Sequence, residues 1–132
     1  MHCDLKPDNI LVDEWNSGSV LEGVVLADFG STIREDEAPL TRYLASRFYR
    51  APEVMLGIQP LSGALDIWSL GVTLFELATG GHLIISGEVM FTGSTNNEML
   101  WLFMLTKGRI SSKLLKRAAF TDLYFSEKGL FQ

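Results

Sequence analysis

The spacing of apolar and polar residues changes character several times along the 132-residue chain, and each change marks an element. Residues 10–13 and 20–27 are short apolar, β-branched runs separated by the turn-forming Asn16, Ser17, Gly18 and Ser19. They predict a small antiparallel hairpin. Residues 31–50 are polar and read as a long loop. Pro52 opens a short predicted helix over 52–57 that Gly57 closes, and 58–62, with Pro60, is a loop. From 63 to 79 apolar residues fall nearly all round the helical wheel, which predicts a helix buried on most sides. Gly80 and Gly81 stop it. Residues 82–93 read as a loop containing Leu83, Ile84 and Ile85. Ser94 to Glu98 offer cap residues for a helix reaching about Leu105, closed by Lys107 and Gly108, and a further short helix spans 112–118. The predicted class is mainly α with a small β-hairpin.

Composition narrows the partners. A net charge of −5 argues against a general nucleic-acid-binding surface, which needs a basic excess. The single cysteine, Cys3, rules out an internal disulfide framework and suits a reducing compartment. The longest apolar run, 63–80, contains Asp66 and Glu76 and is interrupted by Gly71, so it is not a membrane span. Apolar residues make up 47% against 20% charged, a high share for a free-standing soluble domain. Such a chain is expected to carry apolar surface that invites association. Lys113, Lys116 and Arg117 form a basic cluster on the last helix, read as a solvated face with partner contact as the alternative. His82 has no second ligand at a useful spacing and is assigned no function.

Chemistry concentrates at the amino end. Asp4, Lys6 and Asn9, spaced i, i+2 and i+5, put an acid, an ammonium and an amide on one short loop, and Asp28 follows nineteen residues after Asn9. The predicted hairpin brings Asn9 and Asp28, at its outer ends, to one place. Phosphoryl transfer from ATP needs such a set: a carboxylate to orient a hydroxyl and take its proton, a cation for the moving phosphate, and oxygen ligands for Mg²⁺.

In order, His2-Cys3-Asp4-Leu5-Lys6-Pro7-Asp8-Asn9, Asp28-Phe29-Gly30 and Ala51-Pro52-Glu53 resemble the catalytic loop, metal-binding motif and helix-start motif of eukaryotic protein kinases. The resemblance implies a protein-kinase-like large (C-terminal) lobe, with 1–132 a partial kinase domain. No glycine-rich loop or V-A-I-K lysine stands in the sequence, so the small lobe over ATP is expected to be missing from it. Also missing is the late arginine that pairs with the glutamate at the place of Glu53. The resemblance further implies that Asp4 is the catalytic acid, that Lys6 neutralises the γ-phosphate, and that Asn9 and Asp28 hold Mg²⁺. Leu11 would lie under the adenine and Ala27 at the back of its pocket, ordinary core packing being the alternative for both. Ser46 would bridge Asp4 and Lys6, while His2, Phe29, Glu53 and Asp66 would be structural. Asp66 would accept hydrogen bonds from catalytic-loop amides, or else serve as a simple helix-start acid.

Thr41-Arg42-Tyr43 followed by Ser46-Arg47-Phe48-Tyr49-Arg50 resembles the activation segment of the CMGC group. Thr41 and Tyr43 would be regulatory, and a phosphate on Tyr43 would bring acceptors for Arg47 and Arg50; plain packing of Tyr43 is the alternative. Within the group, Thr95-Asn96-Asn97-Glu98-Met99-Leu100 is similar to the pre-mRNA-processing factor 4 kinases. That likeness implies a serine/threonine kinase of the nucleus, the cytoplasm being the alternative, with protein substrates, spliceosome components and the absent small lobe as partners. Three features depart from the pattern: Cys3 replaces the usual arginine, Arg42 stands where proline is usual, and the 82–91 loop is longer. The rival readings are an inactive fragment or pseudokinase-like binding module, and a DYRK-like or other CMGC kinase.

Overall fold

The computed structural model describes residues 1–12, 23–79 and 89–132. The predicted turn at residues 16–19, His82 and most of the 82–91 loop lie outside them. Within the described residues the chain is mainly helical with one two-stranded sheet. Strands β1 (Ile10–Val12) and β2 (Val24–Leu26) pair antiparallel, Ile10 opposite Leu26 and Val12 opposite Val24. One further bond, from the Ala27 N–H to the Asn9 carbonyl at 2.9 Å, extends the ribbon to the residue before Asp28.

Helix α1 (Pro52–Leu56) starts on Pro52, whose missing N–H is no loss in a first turn. It ends at Gly57, held at φ +68°. A Cβ at Gly57 would stand 2.5 Å from the Phe120 ring, so both the backbone and the neighbour require glycine. Helix α3 (Asn96–Lys107) is capped by Thr95, whose hydroxyl accepts from the Glu98 N–H at 3.1 Å. The last helix, α4, covers only Ser112–Leu115, shorter than the sequence predicts. The cause lies in the next residues. Ala119 and Phe120 donate their N–H groups to the carbonyls of Gly57 and Leu56, and Ala118 bridges Ile58. That pairing with the end of α1 replaces further helix.

Helix α2 (Ala64–Thr79) corrects the expectation of burial on most sides. Leu65, Ser69, Val72 and Thr73 are buried, while Ile67, Leu74, Phe75 and Leu77 are exposed. Hydropathy misled here because one face of the helix is a stripe of polar side chains, Asp66, Ser69, Thr73 and Glu76, at helical spacing. Three of these hold loops, as described below.

Two apolar clusters flank α2. Met55, Leu56, Val72, Met99, Leu100 and Phe103 belong to the larger; Cys3, Ala51, Val54, Leu61 and Leu65 form the smaller. Trp68 packs against both and meets Phe103 edge-on at 4.9 Å between ring centroids. No helix among the described residues is long and apolar enough to cross a membrane.

Candidate active site

The loop that carries Asp4 is held from below. Asp66, in the first turn of α2, accepts the N–H of Cys3 through Oδ1 at 2.8 Å and that of His2 through Oδ2 at 2.7 Å. Between these bonds the chain turns sharply: Cys3 sits at φ +66°, a left-handed conformation that side-chain-bearing residues adopt at a cost. The Cys3 side chain is wholly buried in the smaller cluster, and burial pushes its thiol up. His2 closes the turn: Nδ1 accepts the Asp4 N–H at 3.3 Å and Nε2 lies 3.1 Å from the Ala27 carbonyl. Both contacts are satisfied when the ring proton is on Nε2. The loop is thus tied to the end of β2, and the Phe29 ring, largely exposed, lies 5.2 Å from the His2 ring.

The Asp4 carboxylate takes four donors. Oδ1 accepts the Ser46 hydroxyl at 2.7 Å and the Ser46 N–H at 3.0 Å. Oδ2 faces the Lys6 ammonium at 3.0 Å and the Asn9 amide nitrogen at 3.3 Å. Lys6 also donates to the Ser46 hydroxyl at 3.2 Å, so Ser46 touches both. Burial alone would raise the Asp4 carboxyl, but the hydrogen bonds from Ser46 and Lys6 outweigh it and hold the group below the usual carboxylate range. At neutral pH the cluster therefore presents an ionised, orientationally fixed acid.

Asn9 is buried and anchored by its Nδ2 on the Asp4 carbonyl at 2.8 Å, and its Oδ1 takes no hydrogen bond among the described residues. Asp28, at φ 58°, accepts the Gly30 N–H through Oδ1 at 3.3 Å, which leaves Oδ2 without a described donor. An amide oxygen and a carboxylate oxygen fit Mg²⁺, which takes one or two protein oxygens and completes its shell with water and phosphate. No group of three His, Cys, Asp or Glu suited to a metal occurs among the described residues. Leu11 is exposed on the ribbon, Ala27 is partly buried, and neither is in a core cluster. Glu53 has no cation partner among the described residues, and burial pushes its carboxyl up.

The 41–50 segment is fixed by Arg50, which the sequence pairs with a phosphate on Tyr43, and by Asn96, Tyr49, Ser69 and Glu76, to which the sequence assigns no site role. Arg50, buried, donates from Nε to the carbonyls of Leu44 and Ala45, from Nη2 to Ala45 at 2.8 Å, and from Nη1 to the Asn96 side chain at 2.8 Å. Asn96 returns its Nδ2 to the Arg42 carbonyl at 3.2 Å. Tyr49 donates its hydroxyl to Glu76 at 2.6 Å, and the Ser69 hydroxyl donates to the Tyr49 carbonyl at 2.8 Å. The spacing of Ser69 and Glu76 with Asp66 on one helix face was the available signal. Arg47 is exposed with no described ion pair, and Tyr43 projects into solvent with the Arg42 and Arg50 guanidiniums 5.4 and 5.6 Å from its ring centroid. Thr41 accepts the Tyr43 N–H.

Comparison with known proteins accounts for the arrangement. Residues 1–118 match the protein kinase domain family. The chain is 44% identical over 125 residues to the serine/threonine-protein kinase prp4 of Schizosaccharomyces pombe, covering 95% of this chain and 24% of that protein. It is 40% identical over 131 residues to the serine/threonine-protein kinase prpf4B of Dictyostelium discoideum, covering 99% and 14%. With the dual specificity tyrosine-phosphorylation-regulated kinase mbk-2 of Caenorhabditis elegans it shares 37% over 129 residues, 98% and 14%. The chain thus spans a quarter or less of these relatives. A loop that gathers Asp4, Lys6 and Asn9 under Ser46, a ribbon that ends on Asp28, and this match over most of its length place the chain in the protein kinase family, among relatives of the pre-mRNA-processing factor 4 type.

Proposed function

We propose that this chain supplies the catalytic and metal-binding side of a serine/threonine protein kinase that transfers the γ-phosphate of ATP to protein hydroxyls. The observation that carries the reading is the closed set of contacts among Asp4, Lys6, Asn9 and Ser46. Asp4 orients the incoming hydroxyl. A carboxylate held below its usual range is a weak base, so orientation contributes more than early proton removal, as suits a loose phosphoryl-transfer transition state. Lys6 places its ammonium beside that carboxylate, where negative charge on the transferred group is neutralised. Asn9 and Asp28 would hold Mg²⁺, which when bound would supply positive charge against the phosphates of ATP. Leu11 and Ala27 would contact the adenine, and Ser46 would keep Asp4 and Lys6 in register.

On this reading residues 1–132 are part of a kinase domain whose ATP-covering lobe belongs to the same enzyme. Arg50 shapes the substrate-facing loop through the Leu44 and Ala45 carbonyls, and the exposed Arg47 is the readier partner for a phosphate on Thr41 or Tyr43. We extend the reading to a nuclear enzyme working with spliceosome components on the strength of Thr95-Asn96-Asn97-Glu98-Met99-Leu100. The test is Asp4→Asn in a kinase comprising this chain and its ATP-covering lobe, assayed with radiolabelled ATP and a peptide substrate. Transfer is expected to fall by about 10²–10⁴-fold while nucleotide binding persists. Turnover retained at the parent rate overturns the assignment.

A further inference from the structure

Along the second half of α3 the chain forms a cavity of about 350 Å³ that has no lining residue in common with the Asp4 cluster. One wall is α3 itself, through Trp101, Met104 and Leu105. The other is a tight turn in which Ser126 donates its N–H to the Leu130 carbonyl at 2.8 Å and Gly129 donates to Ser126 at 2.7 Å. That turn is braced by Phe125 and Phe131, edge-on at 5.3 Å. At the mouth Trp101, Leu105 and Leu130 are 50, 62 and 61% exposed.

Charge selects what fits. Among the described residues Arg109 is the only charged one in the lining, and none of them gives it a hydrogen bond or ion pair. It belongs to a run, residues 107–117, holding Lys107, Arg109, Lys113, Lys116 and Arg117, five of the chain's 11 lysines and arginines, and no acid. In a chain of net charge −5 this is a stretch of opposite sign in sequence, and its Arg109 is the member that reaches the apolar hollow. We propose that the groove docks an acidic peptide segment of a partner protein, which inserts one aromatic or leucine side chain and sets a carboxylate against Arg109. A cavity at the small end of the ligand range suits one anchoring side chain better than a large ligand. A guanidinium without a partner among the described residues suits a carboxylate, which it can take with two parallel bonds. Both walls are already formed, so little ordering opposes binding. The inference stands apart from the phosphoryl-transfer reading and needs no catalysis.

The test titrates the full chain into a fluorescein-labelled decapeptide in which a central Phe-Leu pair is flanked by Asp and Glu, read by anisotropy. Saturable binding is expected, weakened about tenfold or more by Arg109→Glu, the effect of some 1.4 kcal/mol. Added salt should weaken it, and Arg34→Glu, a charge reversal elsewhere, should leave it unchanged. Arg109 is exposed, so its variant tests charge without touching the core. In the unaltered chain the Trp101 indole resonance should shift on titration while that of Trp68 stays. Equal binding of a peptide with Lys in place of each acid, or unchanged binding by Arg109→Glu, overturns the proposal. So does self-association at the same concentrations that the peptide fails to displace, which would make a second copy the occupant. Loss of peptide binding when the chain is extended to the length of its relatives would assign the groove to another segment of the same protein, and also overturns it.

Discussion

Replacing Asp66 removes the support beneath the loop that carries Asp4, and the size of the effect can be worked out from its two bonds. Asp66→Ala leaves the N–H groups of His2 and Cys3, bonded at 2.7 and 2.8 Å, without an acceptor. Each orphaned, partly buried donor costs about 1–3 kcal/mol, so the gross loss is about 2–6 kcal/mol. Part returns, because Cys3 no longer has to stay at φ +66° and can relax, recovering about 1–2 kcal/mol. A net loss of about 0–5 kcal/mol follows, centred on about 2.5 kcal/mol, a large share of the 5–15 kcal/mol typical of a domain. Asp66→Asn keeps one carbonyl acceptor but turns an NH₂ toward the other N–H, so it should fall between parent and alanine variant. Urea unfolding followed by circular dichroism gives the global figure. Amide exchange gives the local one, and a 1.4 kcal/mol loss would speed exchange at Cys3 about tenfold. If both variants unfold within about 0.5 kcal/mol of the parent and Cys3 exchange is unchanged, the loop is held by something other than Asp66.

Ser46→Ala removes the hydroxyl at 2.7 Å from Asp4, so the Asp4 carboxyl should titrate at a higher pH, closer to an unperturbed aspartate, when followed by carboxyl NMR; an unmoved midpoint refutes the contact. Because the folded Asp4 pKa is depressed, its contribution to stability is present above the unfolded value of about 3.9 and is lost as the pH falls below it. Acid unfolding should show that loss in the parent and less of it in Ser46→Ala. Tyr49→Phe should cost about 1 kcal/mol in urea melts by deleting the bond to the half-buried Glu76. Burial and Glu76 raise the Tyr49 pKa, so the parent should lose stability above about pH 10 in a way that Tyr49→Phe does not. Gly57→Ala should lower stability by more than about 1 kcal/mol, from left-handed strain plus the clash with Phe120; a neutral result would show that the α1 end can readjust.

Local order made some of this legible in the sequence. Asp4, Lys6 and Asn9 lie within one turn of chain, so their proximity needed no tertiary knowledge, and Pro52 and Gly57 mark the ends of α1 by their own backbone limits. The contact of Ser46 with Asp4 crosses 42 residues and came from family resemblance, since no periodicity links the two. Helix α2 was misread because hydropathy equates apolar with buried, whereas its inward face carries Ser69 and Thr73 and its outward face Ile67 and Leu74. Asn96 looked like a capping residue, yet its side chain binds Arg50 and the Arg42 carbonyl, partners more than forty residues away. Such roles are set by packing between segments, which a single sequence does not display.

Helix α2 holds Asp66 under one loop and Ser69 and Glu76 against the other. Turning it by a single residue would swing all three side chains through about 100° and free both loops in the same movement. The loop that carries Asp4 and the 41–50 segment therefore share one axle, and a disturbance of that axle is felt in both at once.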